Sequence, residues 1–457
     1  MATVEKKLEE SRRPGFLSSA AQTFGSQIAV AVISLGNALI VSRALGPSGR
    51  GDVVFLTTIA YLVSSLATVG VQEANVNVAG SHPHLRRALA TNSIILSLLF
   101  GLLAMAAVTV LVVLVPAAGG DSKAALLALT LASLPGLVLS TNLRFLIQGD
   151  YGFAVTNLVW VLPAIINISI NGLFAIAGAL TVGVAVVTWI GGQLLGTAIL
   201  VWYVARRSVG FGRPSLSLAR GTLGFGLKSH IGRVMLLGNY RLDQWILGAI
   251  AGAKELGLYS VAVAFAEALF LLPTALSAVQ RPDLVRASES EAVRRTALIF
   301  RGSLIVTLAG AVLLILLAPL LVLKLFGEEF RGSIIDLRIL AFGAFGIVAL
   351  KQVGNALTAR QLPTRASFGI GFAFVATIVL DVLLIPRFEG VGAALASSIA
   401  YTLGGVLIVV LFTRALGGHV LDFVPRPSDF AEVWRRFRAR SRTGRTATSE
   451  PANTPEQ

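Results

Sequence analysis

Apolar runs long enough to cross a bilayer, which needs about 20 helical residues, follow one another along nearly the whole chain. They predict about twelve spans, near 16–42, 53–79, 88–115, 124–147, 153–178, 182–205, 221–250, 258–280, 296–323, 333–357, 366–385 and 391–413. The breaks between them are short and rich in Gly, Pro and charge, too short for an inserted domain. Lys and Arg gather in the tails and after even-numbered spans, as at Arg86, Arg87, Arg206, Arg207, Arg213, Arg220, Arg294 and Arg295. That bias predicts that both termini are cytoplasmic and that the protein is a multi-pass component of the cell membrane.

The seventh run, Gly221 to Gly252, departs from the plain apolar pattern. It holds Lys228, His230, Arg233, Tyr240, Arg241, Asp243 and Gln244. At 3.6 residues per turn, Gly226, His230, Arg233, Leu237, Tyr240, Arg241, Gln244 and Gly248 fall in one arc of roughly 100°. Asn239 and Asp243 form a smaller polar patch beside it. An arginine at membrane depth costs at least about 2.5 kcal/mol unless it meets water, a partner or a substrate. The remaining helices are therefore expected to surround an aqueous or protein-lined interior.

Composition narrows the picture. The chain has 457 residues, 55% hydrophobic and only 13% charged, with a mean hydropathy of +0.79. The net charge of +15 follows largely from topology, so nucleic acid is not an expected partner. With no cysteine there are no disulfides or thiolate sites, and the four histidines lack zinc-ligand spacing. No metal, cofactor or catalytic residue is expected, and the protein is not read as an enzyme. After the last span, Phe430, Val433, Trp434 and Phe437 share a face ringed by arginines, a pattern suited to an interfacial helix on an anionic leaflet.

A shift of 206 positions lays one half of the chain over the other. Gly46 then meets Gly252, Gly51 meets Gly257, Gln27 meets Arg233, Asn37 meets Asp243, Tyr61 meets Glu267 and Thr68 meets Thr274. An even number of spans per repeat implies parallel repeats about an axis along the membrane normal. The expected organisation is a cytoplasmic segment (1–15), an N-terminal bundle (16–205), a linker (206–220), a C-terminal bundle (221–413) and a basic tail (414–457). The fold class is an all-α polytopic membrane protein with about twelve helices in two pseudo-symmetric six-helix bundles.

Four stretches carry a resemblance: SRALGPSGRGDV (42–53), NYRLDQWILGAIAGAKELGLYSVAVAFAE (239–267), LFGEEFRGS (325–333) and LIPRFEGVGAALASSIAYTLGG (384–405). In this order the chain resembles the Wzx-like polysaccharide-transport family, oligosaccharide flippases of the MOP exporter superfamily. Asp381 departs from the pattern, since relatives often carry an amide there. The resemblance implies alternating-access flipping of a polyprenyl-diphosphate-linked oligosaccharide for polysaccharide export. Membrane lipids, and glycan polymerases or glycosyltransferases, are the implied partners. The alternatives are a MATE-like, ion-coupled small-molecule exporter, and a non-transporting scaffold for glycan-assembly enzymes.

Such a substrate needs cations for its diphosphate, because an arginine fork matches phosphate oxygens. Arg233, Arg241, Arg144 and Lys351 are the candidates. Each has an alternative: internal ion pairing (Arg144 with Asp150, for one), or snorkelling for Lys351. Gln27, Asn37, Tyr61, Tyr240, Gln244 and Asn167 are candidates for sugar hydroxyls, against the alternative of ordinary interhelical hydrogen bonding. Glu267, Asp243, Asp381 and Glu73 could bind a proton or Na⁺ and couple a gradient to movement, or could neutralise the arginines.

Overall fold

The computed structural model describes residues 16–120, 123–208, 210–270, 273–274, 284, 287–427 and 429. Among them there is no strand, and the apolar runs are helical. The helices are α1 (Phe16–Ala67), α2 (Val71–Ser81), α3 (Arg86–Leu114), α4 (Ala124–Ala132), α5 (Leu134–Gly149) and α6 (Phe153–Ile176). They continue as α7 (Val182–Arg206), α8 (Leu216–Ile250), α9 (Gly252–Ala268), α10 (Glu289–Leu320), α11 (Ser333–Ala359) and α12 (Pro363–Leu416). Eight described helical segments are long and apolar enough to cross a membrane. Two of these, α1 and α12, are each a pair of helices joined at one non-helical residue, Gly46 and Glu389 respectively. α8 falls outside the eight because of its charged face. This is a multi-pass, all-helical membrane protein. The C-terminal interfacial helix predicted from 430 onward, and the segment 1–15, lie outside the described residues.

Two compact units emerge from the packing. One comprises Met1–Ala266, Leu317–Leu340 and Phe374–Ala400; the other comprises Glu267–Leu316, Ala341–Ala373 and Tyr401–Gln457. In the first, α1 packs on α6, with smaller contacts to α5, α7 and α8, while α3 lies on α5 and α6 on α7. Leu89, Leu143, Leu146, Ile147, Val159 and Leu200 form an apolar core, against which Leu218 of α8 also rests. Beside that core runs a buried polar chain. Asn75 donates to Ser93 Oγ (2.8 Å) and to the Asn142 carbonyl (3.0 Å), and Asn142 donates to Ser97 Oγ (2.9 Å). These bonds hold three helices in one register, the bland role expected of amides inside a bilayer.

The linker is held rather than free. Ser215 N–H donates to Asn92 Oδ1 (3.1 Å), and Asn92 Nδ2 returns a bond to the Ser215 carbonyl (2.9 Å). Thr91 Oγ1 donates to the Gly212 carbonyl (2.8 Å). Ser215 then caps α8 by accepting from Leu218 N–H. The second span is broken at membrane depth: Val69 and Gly70 are left-handed (φ 49 and 76) between α1 and α2. His230 Nε2 lies 3.0 Å from the Leu66 carbonyl, which also accepts from Val69 N–H (3.2 Å) at the break.

The repeat-related glycines meet reciprocally. Gly46 and Gly252 are both left-handed (φ 65 and 83), and 206 positions separate them. A Cβ on Gly51 would lie 1.6 Å from the Ala253 carbonyl oxygen, and a Cβ on Gly257 would lie 1.9 Å from the Pro47 carbonyl oxygen. Pro47 and Ala253 are themselves related by the same shift. Backbone therefore rests on backbone where the corner between the first two spans meets the corner between α8 and α9. Arg50 reaches across the same seam to Ser260 Oγ (3.2 Å).

In the second unit, Gln352 donates to Ser303 Oγ (2.6 Å) and to the Pro273 carbonyl (3.2 Å). Past α12, Phe423 packs against both Phe300 and Phe412, with ring centroids 5.7 Å apart in each pair. Arg301 forms a buried ion pair with Asp429 (2.8 Å) and donates to the Asp422 carbonyl. Asp422, Phe423 and Asp429 are thereby held against α10.

Candidate functional site

Two groups of membrane-embedded ionisable side chains stand out in the first unit. The larger is cationic. Arg144, on α5, donates one weak bond to Thr141 Oγ1 (3.5 Å), and its Nε is buried without a hydrogen-bond partner. The expected alternative partner, Asp150, is taken by Arg86 instead. Arg144 stacks 5.6 Å from the Trp160 ring centroid and is close enough to Arg233 for its charge to act on it. Arg233, on α8, is half-exposed; it pairs with Glu73 (2.8 Å) and lies 5.2 Å from the Phe145 ring centroid. Tyr61 and Trp160 are exposed on this side. Of the two guanidiniums only Arg233 has an ion-pair partner among the described residues, leaving a surplus positive charge beside aromatic rings.

The smaller group is acidic and sits where α8 meets α12. Asp243 Oδ2 accepts from Tyr259 Oη (2.6 Å) and Ser397 Oγ (3.2 Å), and Oδ1 accepts from Gln244 N–H (2.7 Å). Asp381 is fully buried, within reach of Asp243's charge, and neither of its oxygens has a hydrogen-bond partner among the described residues. Thr377, one turn before Asp381, donates to Asn239 Oδ1 (3.2 Å). The Asn239/Asp243 patch on the seventh span therefore faces the eleventh and twelfth spans.

The other sequence candidates divide. Asn37 accepts from Asn171 Nδ2 (2.9 Å), which also reaches Asn167 Oδ1 (3.4 Å), so these amides tie α1 to α6. Gln244 is buried and accepts from Thr58 Oγ1 (3.3 Å). Gln27 is exposed on α1. Arg241 donates to the Tyr240 carbonyl (3.0 Å) and its charge bears on Asp243, so it belongs with the acidic pair and not with Arg144 and Arg233. Lys351 and Glu267 belong to the second unit, where Lys351 donates to Thr274 Oγ1 (3.2 Å) and lies 5.3 Å from the Phe270 ring centroid. Glu267 is half-buried at the end of α9. Among the described residues no group of three or more His, Asp or Glu is arranged to hold a metal ion.

Arg50 escaped the sequence reading, which placed it in a loop. It forms no ion pair among the described residues and donates only to Ser260. Periodicity could not have flagged it, because it lies four residues past Gly46, in the break between the first two predicted spans.

Residues 40–335, more than half of the chain, match the family described as polysaccharide biosynthesis protein. A probable flippase, AglR, from Haloferax volcanii is 26% identical over 245 residues, which is 51% of this chain and 51% of that protein. The chain thus spans about half the length of this curated relative. Among solved structures, an inward-facing multidrug-resistance MATE transporter of the MOP superfamily superposes with a TM-score of 0.68 at 15% identity, covering 85% of this chain and 94% of the other. The lipid II flippase MurJ, in an inward closed conformation, superposes with a TM-score of 0.67 at 14% identity, covering 89% of each. These likenesses show that the fold is of the MOP transporter type.

Proposed function

Because the chain belongs to the polysaccharide biosynthesis protein family, we propose that it is a flippase moving a polyprenyl-diphosphate-linked oligosaccharide across the cytoplasmic membrane by alternating access. The observation that carries this reading is the Arg144–Arg233 cluster. Two arginines near one another within the predicted spans, only one of them paired with an acid, are costly unless an anion visits. A diphosphate brings about two negative charges and planar acceptor sets that suit two guanidinium forks. Trp160 and Tyr61 offer apolar faces to sugar rings beside it. When substrate leaves, Glu73 keeps Arg233 neutralised, so the site trades one anion for another.

The acidic pair supplies coupling. Asp243 and Asp381 cannot both be ionised cheaply while Asp381 lacks any donor. A proton or Na⁺ held there would remove the repulsion and favour one arrangement of α8 against α12. The reciprocal Gly51–Ala253 and Gly257–Pro47 contacts act as the outer closure, and both termini lie in the cytoplasm in this reading.

The test is flipping of a fluorescent polyprenyl-diphosphate oligosaccharide by the purified protein in proteoliposomes. Arg144→Ala with Arg233→Ala should abolish flipping while leaving expression and melting temperature near wild type. Unimpaired flipping by that double variant would remove the cationic site from the mechanism. If the wild-type protein exports organic cations and leaves the lipid in place, the drug-exporter reading replaces this one.

A further inference from the structure

Three connections of the first unit bring carboxylates to one spot on the expected outer face. Glu255 stands in the first turn of α9, Asp336 in the first turn of α11, and Glu389 at the non-helical residue of α12 (φ 50, ψ −126). They converge on Gly390. A Cβ built there would lie 2.9 Å from Asp336 Oδ2 and 3.4 Å from Glu255 Oε2, so both oxygens reach the same point. The Gly390 N–H donates to Glu255, and the charge of Glu389 bears on Glu255 from the side. Asp336 is only 3% exposed, and burial and the Glu255 charge, with no hydrogen bond, are what act on its carboxylate among the described residues.

Neutralisation from outside the cluster is partial. Lys254 offsets some of the charge on Glu255. Arg331 is committed to Glu328 at 2.5 Å, and Arg387 is exposed. Arg338 lies two positions beyond Asp336, about 200° round α11. Glu329 lies against Gly46 instead. A buried carboxylate with acids beside it and no donor is unfavourable unless one of the group carries a proton, which then supplies the missing O–H donor. Burial, followed by the Glu389 charge, pushes Glu255 above the usual carboxylate range.

We infer that Glu255 and Asp336, with the charge of Glu389 beside them, form a proton-binding site at the outer mouth of the protein, and that the shared proton lets these three corners pack together. The site is separate from the Asp243–Asp381 pair. It rests on the orientation in the flippase reading but not on the substrate, so it can be tested with no glycan present. The folded state holds this proton more tightly than the unfolded chain does. Its stabilisation is therefore complete below the ordinary carboxylate value and is lost as pH rises through the raised one.

The experiment compares melting temperatures of the purified full chain at about pH 5.5 and about pH 8. Asp336→Asn, which carries a permanent donor, should match wild type at the lower pH and melt several degrees higher at the upper one. Glu255→Gln should shift in the same direction by less. A melting temperature lowered equally at both pH values, or an unchanged pH slope, would overturn the inference. A second readout uses the absence of cysteine in this chain. Spin labels on Ser48→Cys and Phe388→Cys should show distances that broaden as pH rises in the wild-type background and stay narrow with Asp336→Asn. If the broadening persists there but disappears with Asp381→Asn, the proton belongs to the membrane pair and the outer site is refuted.

Discussion

Gly257→Ala is the sharpest available perturbation of the seam between the two repeat-related corners. The new methyl would sit 1.9 Å from the Pro47 carbonyl oxygen, 2.7 Å from its carbon and 3.2 Å from Gly51 N. A carbon rarely approaches a carbonyl oxygen more closely than about 3.3 Å, so the corners must part by roughly 1.4 Å. The obstructing atoms are backbone, and no rotamer change relieves them. Overpacking of this kind costs about 1–3 kcal/mol, and 2 kcal/mol changes a two-state population by about thirtyfold. Cysteines at exposed Ser48 and Lys254, bridged by a short bifunctional reagent, would report the closed seam. Wild type should cross-link readily, and Gly257→Ala at least about tenfold more slowly. Gly191→Ala serves as control, since nothing lies within 4 Å of a Cβ there. Equal cross-linking rates and melting temperatures for wild type and Gly257→Ala would refute the reasoning.

Other outcomes follow from the same contacts. Arg144→Lys should retain part of the flipping lost in Arg144→Ala, because a point charge replaces a planar fork; flipping rates at matched expression check this. Asp381→Asn should raise the melting temperature by a few degrees, since it removes a buried carboxylate without a partner, and should also remove any dependence of flipping on pH or Na⁺. Arg301→Ala should cost about 3 kcal/mol by stranding Asp429 in a buried place, whereas the double variant with Asp429→Ala should recover much of it; denaturant or thermal unfolding distinguishes the two.

Much of this protein was legible along the chain. Twenty-residue apolar runs can only be satisfied as helices in lipid, so the spans and the helical class follow from hydropathy alone. The polar arc on the seventh run and the 206-residue shift are also one-dimensional patterns, and the shift lands on glycines that meet in space. Helical periodicity encodes the face a residue occupies but not what stands opposite it. Asp150 looked like the neighbour of Arg144 because it is six positions away, yet packing gave it to Arg86, and Glu73 reaches Arg233 across 160 residues. Likewise the sequence did not show that Asn171 would reach both Asn37 and Asn167, a pairing made only where α1 meets α6. The acids at Glu255, Asp336 and Glu389 belong to three separate turns, where no period operates. Which charges share a neighbourhood is settled by how the helices pack, since the cost of a buried charge depends on its nearest partners in space.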